Sequence, residues 1–358
     1  MASTVWVKKA SLTDTHIHED TLPPLGDGEV RLKIESFSVT ANNITYAVIG
    51  DMFRYWNFFP ADGDFGIVPM WGHAIVEESL NPEIAVGERI YGYLPMGTHL
   101  DVLPGKIGNG GFTDMAAHRQ PMSPIYNQYS RLNADPEHDP AKENERMLFG
   151  PLFKTGFLIE SMFRREGWFE AQNLIMTSAS SKTALSLASV AKDLSPRIRR
   201  IGLTSKSNVE FVEGTGLYDS VLAYENVGEL PKSQSVSVDF AGNSKLLHDI
   251  HQTLESNLKY SCLVGVTHVS SRGMGDGNDI AGPKPILFFA PDHAVATVQE
   301  LGPKGFGEAV AASWKSFLNA VDDAVTIDEK QGLEAAAKAF VETYEGQTDP
   351  RNGIIIRL

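Results

Sequence analysis

The chain's 358 residues leave room for two domains, each large enough for its own core, and 42% hydrophobic with 21% charged residues is the composition of an ordinary soluble protein. A formal net charge of −14 argues against general binding to nucleic acid or to an anionic membrane, because both require basic surface. The single cysteine, Cys262, excludes an intrachain disulfide and a zinc site of several thiolates, and with no signal-like or membrane-spanning apolar segment the expected location is the cytoplasm.

The first 50 residues read as β structure. Val5, Trp6 and Val7 begin a strand, and Thr15, Ile17 and Glu19 alternate with His16, His18 and Asp20 in a second. A turn over 25–29 leads to the alternating run 30–34, after which the strand pattern is lost and Gly50 marks a turn or cap. Asp14-Thr15-His16-Ile17-His18 has the D-x-H-x-H spelling of metal-dependent amidohydrolases, and histidines at i and i+2 on a strand face the same way. However, residues 8–13 are not an apolar barrel strand, and no further histidine pattern completes a ligand set. The expectation is an exposed strand face, with a metal-dependent hydrolase using His16 and His18 as the remote alternative.

Residues 51–71 are rich in aromatics. Phe53, Tyr55 and Trp56 are candidates for the wall of an apolar substrate pocket; the alternative is a hydrophobic cluster beneath a long loop. Gly72, Gly87, Gly92 and the glycines of 108–111 punctuate short apolar strands, so the first third reads as a barrel-like all-β domain. The polar stretch 126–145, with Pro136 and Pro140, reads as a mobile connection, and 147–163 as an apolar helix.

Residues 173–224 are the centre of the sequence. An apolar strand (174–176) runs into a small polar turn (177–182). A helix follows with Ala184, Leu185, Ala188 and Ala191 on one side, then a second strand (200–204) ending at Ser205 and Lys206. Such a βαβ unit holds phosphates at the turn after its first strand. The alternation continues with a strand at 235–240, a turn at 241–243, a helix at 245–258 and a strand at 260–266. That rhythm means a parallel sheet covered by helices. A short buried strand at 286–290, helices at 309–321 and 333–344, and a last strand at 353–358 complete the chain.

The succession GEVRLKIESFSV (28–39), GHAIVEE (72–78), VGERIYGYLPMG (86–97) and GGFTDMAAH (110–118), followed by the βαβ unit, resembles the medium-chain dehydrogenase/reductase superfamily, in its zinc-free, quinone-oxidoreductase-like branch. The resemblance implies an α/β fold: a GroES-like β-barrel catalytic domain plus a Rossmann-type doubly wound parallel sheet. Residues 1–130 correspond to the first part of the catalytic domain, 131–285 to the NADP-binding domain, and 286–358 to a return into the catalytic domain. Where zinc enzymes of the superfamily carry a catalytic cysteine, this chain has Thr40-Ala41-Asn42-Asn43. His73 stands where they have a ligand histidine but lacks thiolate partners, so no metal is expected.

The resemblance further implies an NADPH-dependent reductase passing hydride to an activated C=C or carbonyl of a small, apolar or aromatic substrate. Ser205 and Lys206, with no carboxylate at that strand end, suit a 2′-phosphate, with Asn208 and Tyr224 assisting. Ser178, Ser180, Ser181, Lys182 and Thr183 would meet the pyrophosphate, Gly242, Gly265 and Thr267 would flank the cofactor, and Thr155 resembles the family's threonine near the carboxamide. Tyr46 is the expected proton donor and Asn43 the positioning residue; the competing reading is that Asn43 caps a turn and Tyr46 packs in the core. The turn 178–183 departs from the family in having no glycine. A protein that binds NADP(H) without turnover is therefore the alternative function. Lys182-Thr183 after a strand also suggests a P-loop, but its required glycines are replaced by Met176 and Ser181. A homodimer through the Rossmann sheet edge is what the resemblance suggests.

Overall fold

The computed structural model of the protein describes residues 1–264, 280–322 and 324–358. The chain divides into two units, Met1–Leu148 with Ile327–Leu358, and Phe149–Thr326.

The first unit is built around the strand Val30–Val39, which pairs antiparallel with Pro69–Ser79, Asn352–Arg357 and His99–Val102. Pro69–Ser79 pairs onward with Arg89–Pro95, and that strand with Gln128–Arg131, within a nine-stranded sheet. A second sheet of three strands joins Ser11–Asp20, Ala2–Lys8 and Phe65–Ile67. The helix Gly332–Tyr344 presents Leu333, Ala336, Ala339 and Phe340, at helical spacing, to a core containing Val5, Leu32, Phe37 and Ile356.

The strand expected to end at residue 34 runs on to Val39, and the helix Ala41–Val48 follows it. Thr40 and Asn43 supply its start: Asn43 Oδ1 accepts the Thr40 backbone N–H at 2.7 Å, satisfying a donor at the helix entrance. The helix expected from 147 starts earlier, and Glu143–Arg165 is continuous despite Pro151. A proline removes the N–H that would bond four residues back. The carbonyl concerned is that of Met147, which instead accepts the Ser38 hydroxyl at 2.8 Å.

The second unit holds a six-stranded parallel sheet, ordered Ser220–Ala223, Arg199–Thr204, Asn173–Met176, Ser235–Asp239, Leu258–Leu263, Ile286–Leu287. In chain order this is 3-2-1-4-5-6, the doubly wound arrangement of dinucleotide-binding sheets. The fold class expected from the sequence is the one observed. Ile175, Ile201, Leu203, Leu246, Ile250, Leu254 and Leu258 form a core beneath the sheet's crossovers. The last helix, Ala290–Val321, is longer than expected and is broken at Gly302, whose φ of 73° precedes Pro303.

The boundaries differ from expectation. Residues 131–148 belong to the first unit, because Gln128–Arg131 is a sheet strand rather than part of a mobile connection. The return to the first unit begins at Ile327, not at residue 286, because Ile286–Leu287 extends the parallel sheet. That strand is also not buried: as the edge it leaves Ile286 and Leu287 49% and 45% exposed.

Candidate functional site

In a sheet of this order the ligand crevice lies outside the carboxyl ends of the strands where the winding reverses, here Asn173–Met176 and Ser235–Asp239. The two strand ends are tied together. Thr177 Oγ1 donates to Asp239 Oδ1 at 2.7 Å and accepts the N–H groups of Phe240 and Ala241 at 2.9 and 3.1 Å. Asp239 Oδ1 also accepts the N–H groups of Ala241 and Gly242. Both side chains are buried, so the carboxylate is held by donors where water cannot reach it. Thr177 was not singled out from the sequence as a site residue; its signal was its place as the first residue of the small polar turn.

The turn is made without glycine because Ser178 adopts the left-handed conformation itself, with φ 48°. Tyr224 hydrogen-bonds to Ser178, and burial pushes the Tyr224 phenol up. Ala179 is enclosed, its N–H donating to Leu203 O at 3.0 Å and its carbonyl accepting the Tyr218 hydroxyl at 2.9 Å. Ser180 is buried and accepts Asn208 Nδ2 at 3.3 Å, which joins the turn to the end of the second strand. Ser181 is committed to the helix Lys182–Leu194, whose Ala184 N–H it accepts at 3.3 Å. Lys182 and Thr183 form the first turn of that helix.

Ser205 precedes the short 3-10 turn Lys206–Asn208 and lies 3.1 Å from Ser207 Oγ, oxygen to oxygen; Lys206 is exposed. The Thr204 hydroxyl beside them is buried and without a partner among the described residues. Gly242 has φ 66°, a conformation its turn requires. The structure therefore gathers Ser178, Ser180, Ser181, Asn208 and Tyr224 through direct contacts, with Lys182, Thr183, Ser205 and Lys206 adjoining them in the chain. Gly265 and Thr267 lie outside the described residues. Thr155 spends its hydroxyl on the carbonyl of Pro151 at 3.1 Å. Its neighbour Gly156 is where the helix Glu143–Arg165 meets the helix Lys182–Leu194; a Cβ there would fall 2.7 Å from Leu187 N.

In the first unit, Tyr46 is buried among aromatic rings. Tyr55, Tyr93 and Tyr126 lie 4.6, 5.4 and 6.2 Å away between centroids. Its oxygen accepts Asn42 Nδ2 at 2.7 Å and Trp71 Nε1 at 3.1 Å, and burial raises its pKa well above the usual phenol range. Asn43 belongs to the helix cap instead: it accepts the Thr40 N–H and donates Nδ2 to Pro69 O at 2.8 Å, so the positioning role expected of it is replaced by a structural one.

Among the aromatics expected to wall a pocket, Tyr55 touches the Tyr46 cluster and bonds the Tyr126 hydroxyl at 3.0 Å, and Phe53 lies 6.4 Å from Tyr55. Trp56 is a core residue. It packs where Gly50 and Gly66 leave room, and a Cβ on either would fall 2.2 or 2.3 Å from its ring.

His16 and His18 share a strand face, packing on Phe65 and Trp6 with centroids 4.7 and 3.9 Å apart. Among the described residues there is no group of three or more His, Cys, Asp or Glu able to hold a metal. His73 is fully buried opposite Tyr91 in the sheet, and neither ring nitrogen has a partner among the described residues. Burial pushes its pKa down to about 3. Cys262 is buried, and burial pushes its thiol up, so it is not a nucleophile in the folded state. Among the described residues no helix is long and apolar enough to cross a membrane.

The fold recurs in solved structures. CurA from Vibrio vulnificus aligns over 100% of this chain and 98% of its own, with TM-score 0.61 and 14% identity. CurA from the same organism in complex with NADPH aligns with TM-score 0.63 and 13% identity over 99% and 98%. The yhdH oxidoreductase from Salmonella enterica in complex with NADP gives 0.55 and 11% over the full length of both chains. At such identities the likeness establishes the fold, and it is the fold that the resemblance to medium-chain reductases implied. No curated protein matches the sequence. A family model described as "Protein of unknown function (DUF2855)" matches residues 37–349.

Proposed function

The chain belongs to the DUF2855 family, and from that premise we propose that it is an NADPH-dependent reductase that works without zinc. The observation that carries the reading is the crevice end of the parallel sheet. There a small-residue turn, braced by Thr177 and Asp239, faces a second strand end bearing Ser205 and Lys206 and no carboxylate. NAD sites place an acid at that strand end for the ribose hydroxyls, whereas a hydroxyl and a lysine suit a 2′-phosphate. The Thr204 hydroxyl beside them is buried and has no partner among the described residues. CurA and yhdH, which share the fold, have been crystallised with NADPH and NADP.

In this reading Ser178, Ser180, Lys182 and Thr183 hold the pyrophosphate end, and Ser205, Lys206, Asn208 and Tyr224 hold the 2′-phosphate end. Ser181 shapes the turn, Gly242, Gly265 and Thr267 flank the cofactor, and Thr155 lies by its carboxamide. The bound cofactor supplies hydride; the protein's task is orientation and stabilisation of the negative charge that develops on the substrate. Tyr46 is the donor to the substrate's oxygen, and Tyr55 and Phe53 line an apolar or aromatic substrate site. The substrate carries an activated C=C or a carbonyl. A cytoplasmic location and a homodimer through the exposed edge strand Ile286–Leu287 complete the proposal.

The test measures NADPH and NADH binding by wild type and by a Ser205→Ala, Lys206→Ala double variant, with turnover on a panel of enones, quinones and aldehydes. The expected result is NADPH binding weakened about tenfold or more in the variant with NADH unchanged, since a charge-assisted contact is lost. Equal losses for both cofactors would remove the 2′-phosphate assignment. Tight NADPH binding with no turnover on any panel member would favour the second reading, a binding protein, which the glycine-free turn supports.

A further inference from the structure

The hydroxyl of Tyr46 has an uneven hydrogen-bond balance. A phenol oxygen offers two lone pairs and one proton. Both acceptor directions are engaged, by Asn42 Nδ2 at 2.7 Å and Trp71 Nε1 at 3.1 Å. Among the described residues the only other polar group close enough to act on this hydroxyl is that of Tyr93. Tyr46 is only 4% exposed, whereas Asn42 and Trp71, whose N–H groups reach its oxygen, are each partly open to solvent. The Tyr93 hydroxyl, on a ring 5.4 Å from that of Tyr46, is buried and has no further partner among the described residues. Packing an aromatic core needs neither an indole N–H nor an amide aimed at one oxygen. A donor fixed by two others, with only a second buried phenol beside it, is the arrangement that a carbonyl acceptor completes.

Resting on the reductase reading, we propose that Asn42 and Trp71 are positioning residues that fix and polarise the Tyr46 hydroxyl, which donates its hydrogen bond to the carbonyl oxygen of a planar, conjugated carbonyl substrate. Two N–H groups drawing on the phenol oxygen make its proton a stronger hydrogen-bond donor. NADPH, when bound, would supply a hydride with its electron pair to the β-carbon of an enone, leaving as NADP⁺. The C=C pair would then become the bond between the α-carbon and the carbonyl carbon, and the C=O π pair would move onto the oxygen, where the Tyr46 O–H meets the new negative charge. Water then supplies the proton to the α-carbon. Tyr46 keeps its own proton throughout, in keeping with a phenol whose ionisation burial opposes. The rings of Tyr55, Tyr93 and Tyr126 around it suit a flat, unsaturated substrate better than a bulky saturated one.

The experiment is a double-mutant cycle on wild type, Trp71→Phe, Tyr46→Phe and the double variant, using NADPH with 1,4-naphthoquinone and 2-cyclohexen-1-one. Trp71→Phe is expected to lower kcat about tenfold with KM for NADPH unchanged, and to have less than about twofold effect once Tyr46 is Phe. Equal losses in both backgrounds overturn the inference while the reductase reading stands. If neither carbonyl is reduced by wild type, the reductase reading fails, and direct titration of the four proteins with 1,4-naphthoquinone decides the inference. Weaker, non-additive binding in both single variants supports it, and equal affinity across all four overturns it. If Trp71→Phe does not fold, Asn42→Ala replaces it with the same expected outcomes.

Discussion

Acid sensitivity of the first unit offers a test of the buried geometry around His73. The ring is fully buried, both nitrogens lack partners among the described residues, and its pKa falls from the ordinary ~6.5 of histidine to about 3. Burial is the main cause; Arg146, Arg89 and His138 add to it, and Glu143 opposes it. Because the folded pKa is depressed, the unfolded chain takes up a proton that the folded chain refuses. Stability contributed by neutral His73 is complete above the unfolded pKa and is lost as pH falls from there toward the folded value. Between pH 7 and pH 5 the loss is about 2 kcal/mol, since the unfolded ring passes from mostly neutral to almost wholly charged.

His73→Gln and His73→Leu remove the titration. Urea denaturation at pH 7 and pH 5 should show the variants losing about 2 kcal/mol less than wild type over this interval, whatever their stability at pH 7. In thermal scans this corresponds to roughly 4–8 °C for a unit of this size. Other histidines lowered by burial, such as His99 and His251, act equally in all three proteins and cancel. An unchanged pH dependence in both variants would refute the reasoning, because it would mean that His73 binds its proton equally well folded and unfolded.

Ser178→Gly should stabilise the protein by up to about 1 kcal/mol, measured by urea denaturation, because it relieves a left-handed residue; a loss of stability would show that the serine side chain matters more than its φ. Thr177→Val preserves shape but strips Asp239 of its hydroxyl donor and leaves the Phe240 and Ala241 N–H groups without that oxygen. The expected cost is about 3 kcal/mol or more, and a loss below about 1 kcal/mol would show that the bridge between strand ends is dispensable. Gly66→Ala places a methyl 2.3 Å from the Trp56 ring and should destabilise the first unit by about 1–3 kcal/mol, whereas a neutral result would mean that Trp56 is free to move.

Much of the architecture was legible because it is periodic. The apolar strand of Asn173–Met176, the one-sided helix after it and the next strand give a βαβ unit from local pattern alone, and the structure has it there. Local pattern was less informative at boundaries. The strand Gln128–Arg131 looked like a polar linker because Gln, Ser and Arg are no strand signal; only its pairing with Arg89–Pro95 and Gly111–Asp114 makes it one. Ile286–Leu287 looked buried because it is apolar, whereas its place at the sheet edge leaves it half exposed. Hydrophobicity says what a residue prefers, and the sheet order says what covers it.

The candidate site divides in the same way. Consecutive residues alone marked the turn 177–182, the glycine-free stretch 178–183 and the Ser205–Lys206 strand end without a carboxylate. Which hydroxyls are spent and which remain available was decided only by tertiary contacts. Asn43 went to a helix cap and Pro69, Ser181 to the Ala184 N–H, and Trp56 to a space left by two glycines. Asn42 and Trp71, 29 positions apart, meet at the Tyr46 oxygen because the helix Ala41–Val48 and the strand Pro69–Ser79 pack together; no feature of either segment shows this by itself. A side chain's chemistry is written in its identity, but hydrogen-bond capacity is consumed by neighbours in space, and folding chooses those neighbours.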